Sequence, residues 1–190
     1  EEVMEGLLAN SNYDAPQPGK YYRLQNLNYK TYMAENATGN GVKCEGLNED
    51  KLAQYWTLVQ VGNNYALQNL CTERYITRQG GSLSRQYVTQ EAKPTVGFAL
   101  NRTDDETTYT YYIVDHGAVG LHCDQGPNVV GWSTTGISAS TWGFEEVELT
   151  DEFIQNGRKV LADYAALVAN IASYNTSLSN LFQDKACTVL

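Results

Sequence analysis

The stretch Gln54-Tyr55-Trp56-Thr57-Leu58-Val59 decides how the rest of the chain is read. Its aromatic and β-branched residues make it a buried strand, and weaker copies follow. Phe98 leads into Ala99-Leu100 and Trp142 into Phe144-Glu145-Glu146-Val147, at intervals of about 43 residues, the length of one supersecondary unit copied along a chain. A second landmark keeps the same beat. Tyr22-Arg23-Leu24-Gln25-Asn26 recurs as Tyr65-Ala66-Leu67-Gln68-Asn69 and, more loosely, as Tyr112-Ile113-Val114-Asp115. A third landmark follows each of these: Tyr32-Met33-Ala34-Glu35, Tyr75-Ile76-Thr77-Arg78 and Leu121-His122-Cys123-Asp124. Three features in the same order, three times, mark an internal triplication.

Composition narrows the partners. A net charge of −9 repels polyanions, so nucleic acid and anionic membrane surfaces are excluded as expected partners, while neutral ligands remain open. The longest apolar run falls far short of the roughly 20 residues a membrane helix needs. Glu1-Glu2-Val3-Met4-Glu5 has the wrong charge for the start of a signal peptide, which by itself does not argue for the cytosol. Cys44, Cys71, Cys123 and Cys187 lie far apart, without a Cys-x-x-Cys pair; disulfides and buried free thiols are both compatible with that spacing.

Taken in order, residues 1–17 form an arm or a short helix through Val3, Met4, Leu7 and Leu8, broken by Asp14-Ala15-Pro16-Gln17-Pro18-Gly19. Across 18–149, short segments rich in Tyr, Val, Ile and Trp alternate with turn signals such as Gly39-Asn40-Gly41, Gly62-Asn63-Asn64 and Gly80-Gly81. Three β repeats are too few for a propeller, and a three-unit solenoid leaves both ends exposed. Closure into a threefold barrel removes those edges. Trp56, Phe98 and Trp142 then meet near the pseudo-threefold axis as the structural core.

The three-unit arrangement, with Gln54-Tyr55-Trp56 matching a Gln-x-Trp signature, resembles the ricin B-type β-trefoil, a family of carbohydrate-binding modules. The other two repeats read Val96-Gly97-Phe98 and Ser140-Thr141-Trp142. The resemblance implies an all-β trefoil of three repeats of about 43 residues.

After Val147 the period changes. Val160, Tyr164, Leu167, Ile171, Tyr174, Leu178 and Leu181 are spaced alternately four and three residues apart, the seam of an amphipathic helix over 150–190. Thr150 supplies the cap, and Asp151 and Glu152 suit the positive end of the helix dipole. To Phe182 the helix reaches about 45 Å. Gly157, Asn170, Asn175 and Asn180 lower its propensity, and a break is expected near Asn175. The stripe packs across the trefoil, pairs with another copy, or joins helices of a longer chain. The hand-over from trefoil to helix, and the apolar tail Ala186-Cys187-Thr188-Val189-Leu190, resemble the front end of a larger secreted bacterial protein.

Catalytic constellations are missing from the sequence. His116 and His122 belong to no His-Glu-x-x-His, Gly-x-Ser-x-Gly or phosphate-cradling motif. His122 and Cys123 are neighbours on a strand and point to opposite faces. Asp104-Asp105-Glu106 and Glu145-Glu146 lack a calcium-loop pattern. Sequons at Asn36, Asn101 and Asn175 are no more than chance provides. The expectation is a chain that is not an enzyme and needs neither metal nor cofactor.

Sugar binding remains. A sugar needs an aromatic face for its C–H surface and a few fixed polar groups for its hydroxyls. The resemblance implies a pocket in each repeat: an acid after the second strand, an aromatic on the next hairpin, and a polar group before the Gln-x-Trp position. Carried onto this chain, the third repeat fits best, with Asp124, Trp132 and Ser138 or Ser140, and Asn128 assisting from the turn. The first repeat offers Glu35 and Gln54 without a platform aromatic, and the second offers Tyr87 with Arg78 in place of the acid. The expected function is therefore a secreted or surface-displayed lectin-like module that holds a larger protein on a glycan or oligosaccharide. The alternative is a structural or protein-interaction domain with a degenerate sugar site, whose C-terminal helix meets a partner helix or further domains of a longer chain.

Overall fold

Among the described residues twelve strands fall into three sets of four, and every set repeats the same pairing. The computed structural model describes residues 13–186, with side chains to Gln183; the helix expected within residues 1–12, and Cys187, lie outside the described residues. The first set is β1 (Tyr21–Asn26), β2 (Tyr32–Glu35), β3 (Val42–Glu45) and β4 (Trp56–Val61). The second is β5 (Asn64–Asn69), β6 (Tyr75–Ile76), β7 (Thr89–Gln90) and β8 (Ala99–Arg102). The third is β9 (Thr110–His116), β10 (Val119–Cys123), β11 (Val129–Ser133) and β12 (Thr141–Val147). A single long helix, α1 (Asp151–Ala186), follows.

The first and fourth strand of each set build a six-stranded barrel. β1 pairs with β4 and β12, β4 with β5, and β9 with β8 and β12, all antiparallel. The ring closes between β5 and β8 through the Tyr65–Phe98 bridge, whose backbone hydrogen bonds measure 3.0 and 2.7 Å. A Cβ on Gly97 would sit 2.6 Å from the Tyr65 carbonyl carbon, so only glycine lets the two strands approach there. The second and third strands form three hairpins over one end of the barrel. They are joined in a cycle by the bridges Lys43–Asn128, Gly41–Val88 and Gln86–Val130, which is the threefold arrangement expected from the repeats.

Trp56, Phe98 and Trp142 are buried together with Leu24, Leu67 and Ile113 in one cluster. Each indole finds an acceptor in the hairpin layer: Trp56 Nε1 donates to the Met33 carbonyl and Trp142 Nε1 to that of Leu121, both at 2.9 Å. These bonds also set the equivalences. Trp142 lies opposite Asn26 and Trp56 opposite Asn69, while the Ala99–Val114 pair puts Phe98 opposite Asp115. The mate of Tyr22 and Tyr65 is thus Tyr111, not Tyr112, and the mate of Met33 is Leu121. The alignment drawn from sequence slips by one residue in the third repeat. Tyr111 shows the consequence, since it packs edge-on to Phe144 as Tyr22 does, whereas a one-residue slip would turn it to the other face.

The same equivalence explains a buried ion pair. Asn26 and Asn69 each donate to a carbonyl of the 3-10 turn before the Trp strand, Ala139 and Ala53 respectively. Asp115 has no donor to offer there. Instead its carboxylate accepts from Tyr87 Oη at 3.0 Å, Gln79 N at 2.9 Å, Gly80 N at 3.3 Å and Arg78 Nε at 2.9 Å. Burial pushes the carboxyl up, but these hydrogen bonds and the Arg78 charge outweigh it and hold the acid below its usual range. Tyr87 is fully buried by this contact and belongs to the core rather than to a ligand platform. Cys44, Cys71 and Cys123 are free thiols. A hydrogen bond between the Cys44 and Cys123 thiols, together with burial, pushes Cys44 up.

α1 is unbroken at Asn175. Asparagine costs a helix only a fraction of a kcal/mol, ~0.6, and does not interrupt it. Thr176 and Ser177 return their hydroxyls to the carbonyls of Ala172 and Ser173. Thr150 Oγ1 accepts from Phe153 N at 3.1 Å, the expected cap. Only the first turns dock. Ile154 is buried with Leu52, Tyr55 and Leu70, Phe153 meets the Tyr55 ring edge-on at 5.8 Å, and Arg158 Nε donates to the Leu70 carbonyl at 2.9 Å. Gly157 permits the approach, since a Cβ there would lie 2.6 Å from Leu52 Cδ2.

Asp115→Ala, which strands Arg78 and Tyr87, is expected to destabilise the fold by about 3–5 kcal/mol in urea unfolding at pH 7. Because the folded acid is held below its unfolded value of about 3.9, its contribution is complete above that pH and fades as pH falls through the depressed value. The gap between wild type and variant therefore narrows in unfolding curves measured at progressively lower pH below about 4.

Candidate functional site

Strand pairing identifies the three equivalent surface positions at which a ligand platform could stand. Tyr32 faces Glu45, Tyr75 faces Gln90 and Gly120 faces Trp132, so only the third repeat places an aromatic ring at this position. Trp132 lies near the end of β11 and remains 39% exposed. The rest of the site follows from strand alternation. On β10, Leu121 and Cys123 point inward and are buried, which leaves His122 and the following Asp124 on the outer face beside Trp132.

Together His122, Asp124 and Trp132 line a shallow depression of about 270 Å³, with Tyr29, Ser84, Gln125, Val130 and Ala139 around them. The His122 and Trp132 rings are 6.0 Å apart and tilted by 37°. One Asp124 oxygen accepts from Gly126 N at 2.8 Å, which fixes the carboxylate at the mouth of the turn. His122 Nδ1 lies 2.9 Å from Ser140 Oγ, and that hydroxyl gives its one proton to the Ser133 carbonyl at 2.6 Å. Nδ1 is consequently the donor, and Nε2 is left as an acceptor. Burial lowers the His122 imidazole below its usual range and the Asp124 charge only partly offsets this, so the ring is neutral near pH 7.

Of the residues expected from sequence, Asp124 and Trp132 share this depression. Asn128, Ser138 and Ser140 are not part of its lining. Asn128 receives the Asp124 backbone N–H on its carbonyl, at 3.1 Å. Ser138 is exposed and donates to Asn28 Oδ1 at 3.0 Å. Ser140 is buried and acts on the site only through His122. His122 had a signal in the sequence, its place two residues before Asp124 on one strand face. Tyr29 and Ser84 had none, because they arrive from the loop after β1 and from the second repeat.

The other repeats have put the same positions to structural use. In the first, Gln54 Nε2 donates to Glu45 Oε1 at 3.0 Å and to the Gly46 carbonyl at 2.8 Å, so the Gln of the signature braces the hairpin. Glu35 is fully buried, paired with Arg74 at 2.5 Å and accepting from Thr72 and Thr89. Ala53 and Leu52 of this repeat, with Val160, Leu161 and Tyr164 of α1, line an apolar groove of about 440 Å³ where the third repeat has its depression. In the second repeat, Thr77, Arg78 and Gln90 line the equivalent hollow of about 260 Å³, without an aromatic.

No protein-family model matches the sequence, and no curated protein matches it. Solved structures do. A ricin B-like lectin from Macrolepiota procera in complex with lactose superposes with a TM-score of 0.62 at 15% identity, over 70% of this chain and 100% of its own. The fold is the β-trefoil. The Rhizoctonia solani agglutinin matches this trefoil with a TM-score of 0.59 at 18% identity, over 70% of this chain and 99% of that one. A GlcNAcα1-4Gal releasing endo-β-galactosidase from Clostridium perfringens matches with a TM-score of 0.58 at 12% identity, where the trefoil covers 68% of this chain and 33% of the enzyme.

If Trp132 is held out for a ligand rather than used for packing, Trp132→Ala changes unfolding stability by no more than about 1 kcal/mol, whereas Trp142→Ala costs about 3–5 kcal/mol. Urea titration followed by far-ultraviolet circular dichroism measures both.

Proposed function

We propose that the trefoil is a non-catalytic carbohydrate-binding module which, on a secreted or surface-displayed protein, targets a larger assembly to glycans. The observation that carries this reading is the convergence of an exposed indole, a fixed carboxylate and a neutral histidine acceptor in one depression of the third repeat. Trp132 offers its face to the C–H side of a pyranose. Asp124, with one oxygen already bonded to Gly126, accepts from a sugar hydroxyl with the other, and His122 Nε2 accepts from a second. The lectins of this fold, the lactose complex among them, support the reading and make lactose the first ligand to test. The endo-β-galactosidase supports a targeting role, since there the trefoil makes up a third of the chain.

A single shallow site sets a low affinity for one sugar, on the order of millimolar, about −4 kcal/mol. On a glycan array and in titration calorimetry, wild-type protein is expected to bind galactose-containing glycans, and Trp132→Ala to bind at least about 10-fold more weakly with unchanged stability. Binding to no glycan, or binding indifferent to Trp132, would overturn the proposal.

The histidine adds a pH signature. Its lowered value keeps Nε2 an acceptor from pH 8 down to about 6.5, and protonation below that turns Nε2 into a donor and places a cation beside Asp124. Affinity is expected to stay level over the first interval and to fall only at lower pH, once the ring protonates, while His122→Gln flattens the profile. Calorimetric titrations at those pH values read it directly.

A further inference from the structure

Among the described residues the most exposed apolar surface is not on the trefoil. From Ala162 to Ser177 every residue of α1 is exposed, including Tyr164, Leu167, Val168, Ile171 and Tyr174. Tyr174 is 66% and Phe182 71% exposed; a single exposed apolar residue is ordinary, but a continuous row of them marks an interaction surface. The seam from Val160 to Leu181 keeps strict alternation of four and three residues over three heptads, about 32 Å of helix. That is the 3.5-residue period of a coiled coil rather than the 3.6-residue period of a helix laid on a globular core.

Charge selects the partner. Between Tyr164 and Gln183 the chain has no Asp, Glu, Lys or Arg, although the protein as a whole carries −9. Beyond Tyr164 the positions that flank the seam, where a coiled coil chooses a different partner by opposite charge, are Val168, Asn170, Asn175, Ser177 and Phe182, and the charged flank before it, Asp163, is already paired with Lys159 of its own helix. A basic or acidic helix would find no ionic match there and would leave its own charges against an apolar row. A second copy of the same helix meets apolar residues with apolar residues and amides with amides, and brings no like charges together within the seam. The area is sufficient as well. The exposed apolar side chains of the free half together offer on the order of 800 Å², one partner's share of a stable interface.

We propose that α1 is a self-association element: its free half pairs with the same segment of a second copy of this chain in a coiled coil that starts at Val160, where the seam runs into the apolar groove lined by Leu52, Leu161 and Tyr164. The pairing is independent of the sugar site, whose residues lie on β10 and β11.

Analytical ultracentrifugation of the full chain at rising micromolar concentration tests it, with Leu167→Asp/Ile171→Asp as the paired variant. Both positions are exposed on the part of α1 beyond its docking turns, so the trefoil is expected to keep its near-ultraviolet circular dichroism. The expected result is a discrete species of at least twice 21.1 kDa for wild type and a monomer of 21.1 kDa for the variant. Wild type that stays monomeric, a continuum of ever larger particles, or a variant of the same mass as wild type would each overturn the proposal. None of these outcomes alters the glycan-binding result, so the two readings fail separately.

Discussion

Two indole N–H groups hold the architecture together. An indole buried in a barrel is stable only if its one donor finds an acceptor, and the barrel strands, already paired along both edges, have none to spare. Trp56 and Trp142 therefore reach into the hairpin layer, to the Met33 and Leu121 carbonyls, and so tie barrel to cap at two of the three equivalent positions. Phe98 fills the third without a donor and asks for no acceptor. Opposite Phe98 the Asn of the other repeats has become Asp115, whose ion pair with Arg78 provides the cross-link there.

Triplication made three equal surface positions, and each has gone its own way. At the platform position the chain carries Glu45, Gln90 and Trp132. In the first repeat the signature Gln54 holds Glu45 and the neighbouring turn, and α1 walls off the adjoining surface. In the third, Ser140 stands where Gln54 stands in the first and instead orients His122 through a single hydroxyl. A residue that braces a hairpin in one repeat thus has a counterpart that sets a histidine tautomer in another.

α1 behaves as two helices in one. Its first turns are fixed by Ile154, Phe153 and Arg158 on the base formed by Leu52, Tyr55 and Leu70, and there Gly157 allows backbone to approach side chain. The remainder extends past the trefoil, so that a helix of about 54 Å in all leaves most of its apolar row in water. Among the described residues no helix is long and apolar enough to cross a membrane.

What the sequence determined alone was whatever rests on local pattern. The 43-residue beat of Trp56, Phe98 and Trp142, the cap at Thr150 and the heptad seam are properties of spacing, and spacing survives without coordinates. Asp124 and Trp132 were paired by the resemblance to Gln-x-Trp trefoils, and His122 could have joined them by strand alternation. Tertiary structure decided everything that depends on which strand lies beside which. It moved the third repeat by one residue to Tyr111, turned Tyr87 and Glu35 from candidate ligand residues into core, and brought Tyr29 and Ser84 to a site that lies far from them in sequence. The reason is that burial and hydrogen-bond partners are shared across the barrel: a buried carboxylate such as Glu35 or Asp115 takes its role from donors 28 or more residues away, and no local pattern records them.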